Sequence, residues 1–108
     1  MKFLDRSGPR IFVYGQAVDM RKGFAGLEGL IRQGLGEDPL SGDVFVFVNR
    51  LKTMVKCFLW DRTGYVILFK RLERGHFQLQ NPGRKVELDE RRLGLLFDGI
   101  AVGGISRD

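Results

Sequence analysis

A single cysteine and a single histidine stand among the 108 residues, and that scarcity removes whole classes of chemistry before any pattern is read. Cys57 has no partner, so the chain holds no internal disulfide and no cysteine-rich metal site. A reducing, intracellular setting is the expectation. His76 has no second histidine with which to build a zinc site or a histidine relay. No stretch reaches the roughly 18 uninterrupted apolar residues of a membrane span, and the N-terminal residues lack the apolar core of a signal peptide. The expectation is a soluble, cytoplasmic protein with no membrane partner. Clustered acids are missing too: Asp19, Glu28, Asp43, Asp61 and Glu73 fall on expected caps, turns and helix surfaces, where capping and turn formation account for Asp19 and Asp61. No catalytic residue, bound metal or cofactor is therefore expected.

What is present is an ordinary globular composition, 44% hydrophobic and 29% charged, at a length suited to one domain. The expected domain runs over 11–100, after a polar, turn-prone and poorly ordered segment at 1–10 and before a loose tail at 101–108. Eighteen Lys and Arg against thirteen Asp and Glu leave a formal charge of +5. An excess of that sign favours a polyanionic partner.

The hydrophobic pattern predicts an α+β fold. Residues 10–14 form a short apolar run closed by Gly15, which reads as a strand. Asp19 is placed to cap a helix in which Phe24, Leu27, Leu30, Ile31 and Leu35 fall on one arc. Gly23, Gly26 and Gly29 weaken that helix by about 1 kcal/mol each relative to Ala, which predicts a backbone lying close against a neighbouring surface. Gly36 then stops it. From Val44 the period changes to that of strands, over 44–48, 53–60, 65–71 and 76–80, joined by short turns in an antiparallel meander. Beyond Pro82-Gly83 and the charged stretch 84–87, Asp89 is expected to cap a short C-terminal helix carrying Leu93, Leu96, Phe97 and Ile100.

Side chains of a strand alternate faces, so the meander sorts its residues once a register is chosen. If Val48 faces Thr53, Trp60 faces Tyr65 and Arg71 faces His76, one face gathers Val44, Val46, Val48, Val55, Cys57, Leu59, Val66, Leu68, Phe77 and Leu79. The glycine-rich helix is the expected cover of this aliphatic face. The opposite face gathers Phe45, Phe47, Met54, Lys56, Phe58, Trp60, Tyr65, Ile67, Phe69, Arg71, His76, Gln78 and Gln80. Its aromatic members, Phe45, Phe47, Phe58, Trp60, Tyr65 and Phe69, suggest either a platform for stacking bases or a surface covered by the C-terminal helix or a second subunit.

The basic residues form more of a pattern than the acids. Arg21 and Lys22 stand at the expected first helical turn, beside backbone N–H groups suited to a phosphate. Arg50 and Lys52 occupy a hairpin tip, Lys70 and Arg71 end a strand, and Arg74 sits in the next turn, with Lys56 slightly inward. The expected pairing brings the Asn49–Lys52 turn and the Lys70-Arg71 strand end to one edge of the meander, a basic edge suited to neutralising phosphates. As separate residues each is also an ordinary solvated cation.

Together, Asp19-Met20-Arg21-Lys22-Gly23-Phe24 with Gly26-Leu27, Phe45-Val46-Phe47 with Asn49-Arg50, Lys56, Trp60-Asp61 with Gly64-Tyr65, and Lys70-Arg71-Leu72-Glu73 with Gly75 and Phe77 carry a resemblance. In order and spacing the chain resembles the TnpB-type (Orf2-like) accessory proteins of the IS sixty-six insertion sequences. It departs from them at Ala25, where an acid is usual, at Leu51, where a second arginine is usual, and at Leu79-Gln80-Asn81-Pro82, where a Trp-Pro pair usually ends the sheet. The resemblance implies a noncatalytic part in transposition beside a separate transposase. DNA at the element ends, the transposase, or both are the implied partners, with homodimerisation a further expectation. The matched cations are candidates for those contacts. The alternative reading is an adaptor that docks the transposase or another subunit through the aromatic sheet face.

Overall fold

The computed structural model describes residues 9–78, 85–98 and 105–106. Strand β1 (Ile11–Tyr14) leads through a loop into helix α1 (Phe24–Gly29), which continues as π-helical turns over Leu30–Leu35. The chain returns as β2 (Val44–Val48), parallel to β1, with Ile11 beside Val44 and Val13 beside Val46. Strands β3 (Met54–Asp61) and β4 (Gly64–Arg71) follow as antiparallel neighbours. The chain then crosses to the other side of β1, where β5 (Lys85–Leu88) pairs antiparallel with it. Helix α2 (Glu90–Phe97) and the two-residue strand β6 (Ile105–Ser106), paired to β5, complete a sheet of order β4-β3-β2-β1-β5-β6.

The class is α+β, and the sheet is mixed. Its parallel pair changes the packing expected from a simple meander. Joining two parallel strands requires a crossover, and such crossovers take one hand almost without exception, so topology selects the face the crossover helix covers. That face is the aromatic one. Leu27, Ile31 and Leu35 pack with Phe12, Phe45, Phe47 and Phe58, while α2 brings Leu93 and Leu96 onto Val44, Val46, Val55, Cys57 and Leu59. The expected placement of the glycine-rich helix on the aliphatic face is thus reversed. The apolar stripe of a helix matches any apolar sheet surface and carries no information about which one.

Alternation within the central strands follows the expected faces even where the register shifts. Trp60 pairs with Tyr65 as expected, whereas Val48 pairs with Val55 rather than Thr53. The displacement is two residues, a whole pleat repeat, so every side chain keeps its face. Arg71 does not pair with His76. After β4 the chain turns back, the Leu72 N–H donating to Thr53 O (2.8 Å) and the Phe77 N–H to Lys52 O (2.6 Å), so that Phe77 drops into the aliphatic core. Residues 76–78 form no strand; Leu79, Gln80 and the Pro82-Gly83 turn lie outside the described residues, as do Met1–Gly8, 99–104 and 107–108 of the expected loose ends.

Local chemistry explains the helix boundaries. Asp19 does not cap α1; Gly23 holds the N-cap position without a side-chain bond, and Asp19 folds back on Arg21 instead. Gly36 stops the π-helical turns at φ 65°, a left-handed conformation that glycine adopts without a Cβ clash. Asp89 caps α2 as expected, its carboxylate accepting from the Arg92 N–H at 2.7 Å. The close backbone approach expected at Gly23, Gly26 and Gly29 occurs elsewhere. A Cβ at Gly23 or Gly29 would meet nothing within 4 Å and at Gly26 only the Lys22 side chain, whereas at Gly34 it would meet the Tyr14 ring at 2.9 Å.

Candidate nucleic-acid interface

The carboxyl end of β2 is where several of the predicted cations gather. The Asn49–Lys52 turn leaves β2 there and is tied by the Asn49 side chain, whose Oδ1 accepts from the N–H groups of Thr53 (2.8 Å) and Met54 (3.0 Å). Lys52 adopts φ 59° in this turn. The loop before α1 passes alongside, anchored by Val18 N–H to Val48 O at 3.0 Å. Between them lies an open hollow of about 600 Å³ lined in part by Arg21, Arg50, Leu51 and Met54. The Phe77–Lys52 bond carries the 72–77 segment, with Arg74, over the same turn, and Arg71 stands opposite Met54 in the β3–β4 register. Arg21, Arg50, Lys52, Arg71 and Arg74 are all exposed at this end.

Two of these cations are already engaged. Arg21 forms a bidentate pair with Asp19, at 3.0 Å and 2.6 Å to Oδ2, which lowers the Asp19 carboxyl to about 2 and raises the guanidinium further. The Arg21 side chain is 91% exposed, so this pair leaves its outer edge open to solvent. Arg71 meets Glu73 at 3.2 Å in an equally exposed pair, of a kind worth little in water. Arg50, Lys52 and Arg74 form no ion pair with an acid among the described residues, whereas Lys22 lies close enough to Asp19 to help hold its carboxyl ionised.

Lys56 and Lys70 do not join the cluster. Lys56 is 9% exposed and points under the loop before α1, donating to Met20 O (2.8 Å) and Lys22 O (2.9 Å) with its ammonium 4.9 Å from the Phe69 ring centroid. Its ammonium thereby ties down the segment that carries Arg21 and Lys22. Lys70 lies on the α2 side, where it donates to Phe97 O at 2.8 Å. That bond neutralises a terminal carbonyl of α2.

The aromatic platform dissolves in the same way. Phe45, Phe47 and Phe58 are fully buried beneath α1 and offer no face to a base or a docking subunit. Trp60 and Tyr65 are half-buried against each other with ring centroids 5.1 Å apart. They lie about 20 Å along the strand from the cationic end at ordinary strand rise. Phe69, 56% exposed, alone remains beside the cations. Phe24, placed on the helix's apolar arc by its spacing, is instead 51% exposed, and Leu51 in the hairpin turn is exposed as well. Among the described residues no three His, Cys, Asp or Glu side chains cluster to hold a metal ion, and no helix is long and apolar enough to cross a membrane.

Residues 9–107 match the family model described as IS66 Orf2 like protein. The chain belongs to that family. It is similar to two proteins of Sinorhizobium fredii (strain NBRC 101917 / NGR234). With the uncharacterized protein y4jC it shares 41% identity over 65% of this chain and 60% of that protein. With the uncharacterized protein y4hO it shares 32% over 84% of this chain and 80% of the relative. No solved structure matches.

Proposed function

We propose that the chain serves its insertion sequence as a noncatalytic DNA-binding factor, gripping phosphates at the carboxyl end of β2 with Arg21, Lys22, Arg50, Lys52, Arg71 and Arg74. The observation that carries this reading is the concentration of Arg50, Lys52 and Arg74 at one end of the molecule with no carboxylate paired to them among the described residues. Uncompensated cations at a surface attract polyanions by releasing their condensed counterions, and they position a protein on DNA without reading its sequence. Asn49 and the buried Lys56 ammonium support the interface by fixing the turn and the loop that carry the cations.

Fluorescence anisotropy with duplex DNA from the element ends, across a salt series, tests the reading. Binding should weaken steeply as salt rises. In the Arg50→Ala/Lys52→Ala/Arg74→Ala variant the slope of log affinity against log salt should flatten by about 0.9 for each phosphate that is no longer neutralised. Absence of any binding at low ionic strength, or a variant indistinguishable from the parent, refutes the proposal.

A further inference from the structure

The outer edge of β4 presents a hydrogen-bonding ladder with which no strand among the described residues pairs. β4 is eight residues long and terminates the sheet on its side. Because the Leu72 N–H donates to Thr53 O, the even-numbered residues of this strand turn their backbone groups toward β3. Antiparallel ladders alternate, so Tyr65, Ile67, Phe69 and Arg71 direct their N–H and C=O groups outward. Among the described residues no strand pairs with them. The same edge exposes apolar side chains on both sheet faces, Leu68 at 40% and Phe69 at 56%. Protein sheets ordinarily protect such an edge with a bulge, a proline, charged side chains or a covering segment. β4 carries only Lys70 and Arg71, at one end.

We infer that β4 pairs antiparallel with β4 of a second copy of this chain, joining two sheets into one through a two-fold axis near Leu68. The charge along the strand selects this occupant and direction. The start of β4 carries balanced charge: Asp61, opposite Gly64, pairs with Arg62 at 4.0 Å, and Glu28, 3.4 Å from the Tyr65 hydroxyl, pairs with Arg32. The end of β4 carries Lys70 and Arg71. Antiparallel pairing about Leu68 sets Arg71 across from Tyr65 of the second copy, on the same sheet face as Glu28, and keeps the two Lys70-Arg71 pairs apart. A parallel pairing would stack those cations side by side. In the antiparallel register Ile67 and Phe69 exchange backbone hydrogen bonds with Phe69 and Ile67 of the other copy, and the two Leu68 side chains meet.

Sedimentation velocity over a concentration series tests this pairing independently of DNA binding, since none of the residues substituted in the DNA assay lies in β4. The parent chain should shift from monomer to dimer as concentration rises. Phe69→Pro removes an outward N–H while sparing the bonds to β3, and it should remain monomeric with an unchanged circular dichroism spectrum. Should that variant fail to fold, Leu68→Lys supplies the same test by placing two charges against each other at the axis. Leu68→Cys should form a disulfide-linked dimer on mild oxidation, because directly opposed residues of a non-hydrogen-bonded pair sit about 4.5 Å apart at Cα, within disulfide range. The buried thiol of Cys57 should stay out of that reaction. A parent chain that is monomeric at every concentration overturns the inference. So does a dimer that forms as readily in Phe69→Pro and Leu68→Lys as in the parent.

Discussion

The thiol of Cys57 is 2% exposed within the aliphatic core, and burial pushes its pKa up to about 12. It is therefore an inert core residue rather than a nucleophile. A thiol reagent at mildly alkaline pH should leave Cys57 unmodified in the folded chain and label it fully in denaturant. The same shift has a consequence for stability. The unfolded thiol ionises near 9.0 and the folded one near 12, so the folded state holds more protons and stability falls as pH rises between those values. The urea midpoint should drop over that window, and Cys57→Ala should remove part of the slope. Asp19 has the opposite sign. Its folded carboxyl is lowered from 3.8 to about 2 by the Arg21 hydrogen bonds, so its contribution is present above 3.8 and disappears as pH falls through 2. Lys56 combines burial with full satisfaction. Lys56→Met fills the same space but leaves the Met20 and Lys22 carbonyls without their donor, which should lower stability by about 1–3 kcal/mol in chemical denaturation.

Two glycines of one helical segment answer to different constraints. Gly29 belongs to α1 with open space around it, so Gly29→Ala should stabilise the chain by up to about 1 kcal/mol through helix propensity. Gly34 occupies the π-helical turns with the Tyr14 ring where a Cβ would stand, so Gly34→Ala should destabilise despite the same propensity gain. Thermal melts of the two variants side by side check the contrast. At the other helix, Asp89→Ala removes the N-cap bond to Arg92 and should cost about 1 kcal/mol. These elements differ in how far they could be read from the chain. The caps at Gly36 and Asp89 were legible because capping depends on a few adjacent residues. β5 was not, although Val86 and Leu88 are buried between half-buried Lys85 and Glu87 in strand alternation. Four residues give too short a pattern to outweigh two charges. What makes the strand is its neighbour β1, and Lys85 is accommodated by Glu37 at 2.6 Å.

At the scale of the molecule, both faces of the central strands are buried, and this doubled burial shapes what the surface has left to offer. Rings that alternate with aliphatic residues along β2 and β3 look like an exposed face only while a single covering helix is assumed. With α1 on one side and α2 on the other, the cationic turn ends and the β4 edge are among the surfaces that the described residues leave open. Both proposals use those two regions, and they are separable: alanine substitution of Arg50, Lys52 and Arg74 should weaken DNA binding while leaving the sedimentation behaviour of the parent intact.

The order of residues alone determined the α+β class, the two-residue periodicity that divides the sheet's faces, the caps at Gly36 and Asp89 and the family likeness, because each depends on local spacing or on short motifs in order. Tertiary structure decided which helix covers which face, that β1 lies parallel to β2, that Lys56 turns inward while Arg50 and Lys52 face solvent, and that β4 ends the sheet. Those outcomes depend on contacts between residues distant along the chain, where crossover handedness and competition for buried surface select among arrangements that the local pattern fits equally well.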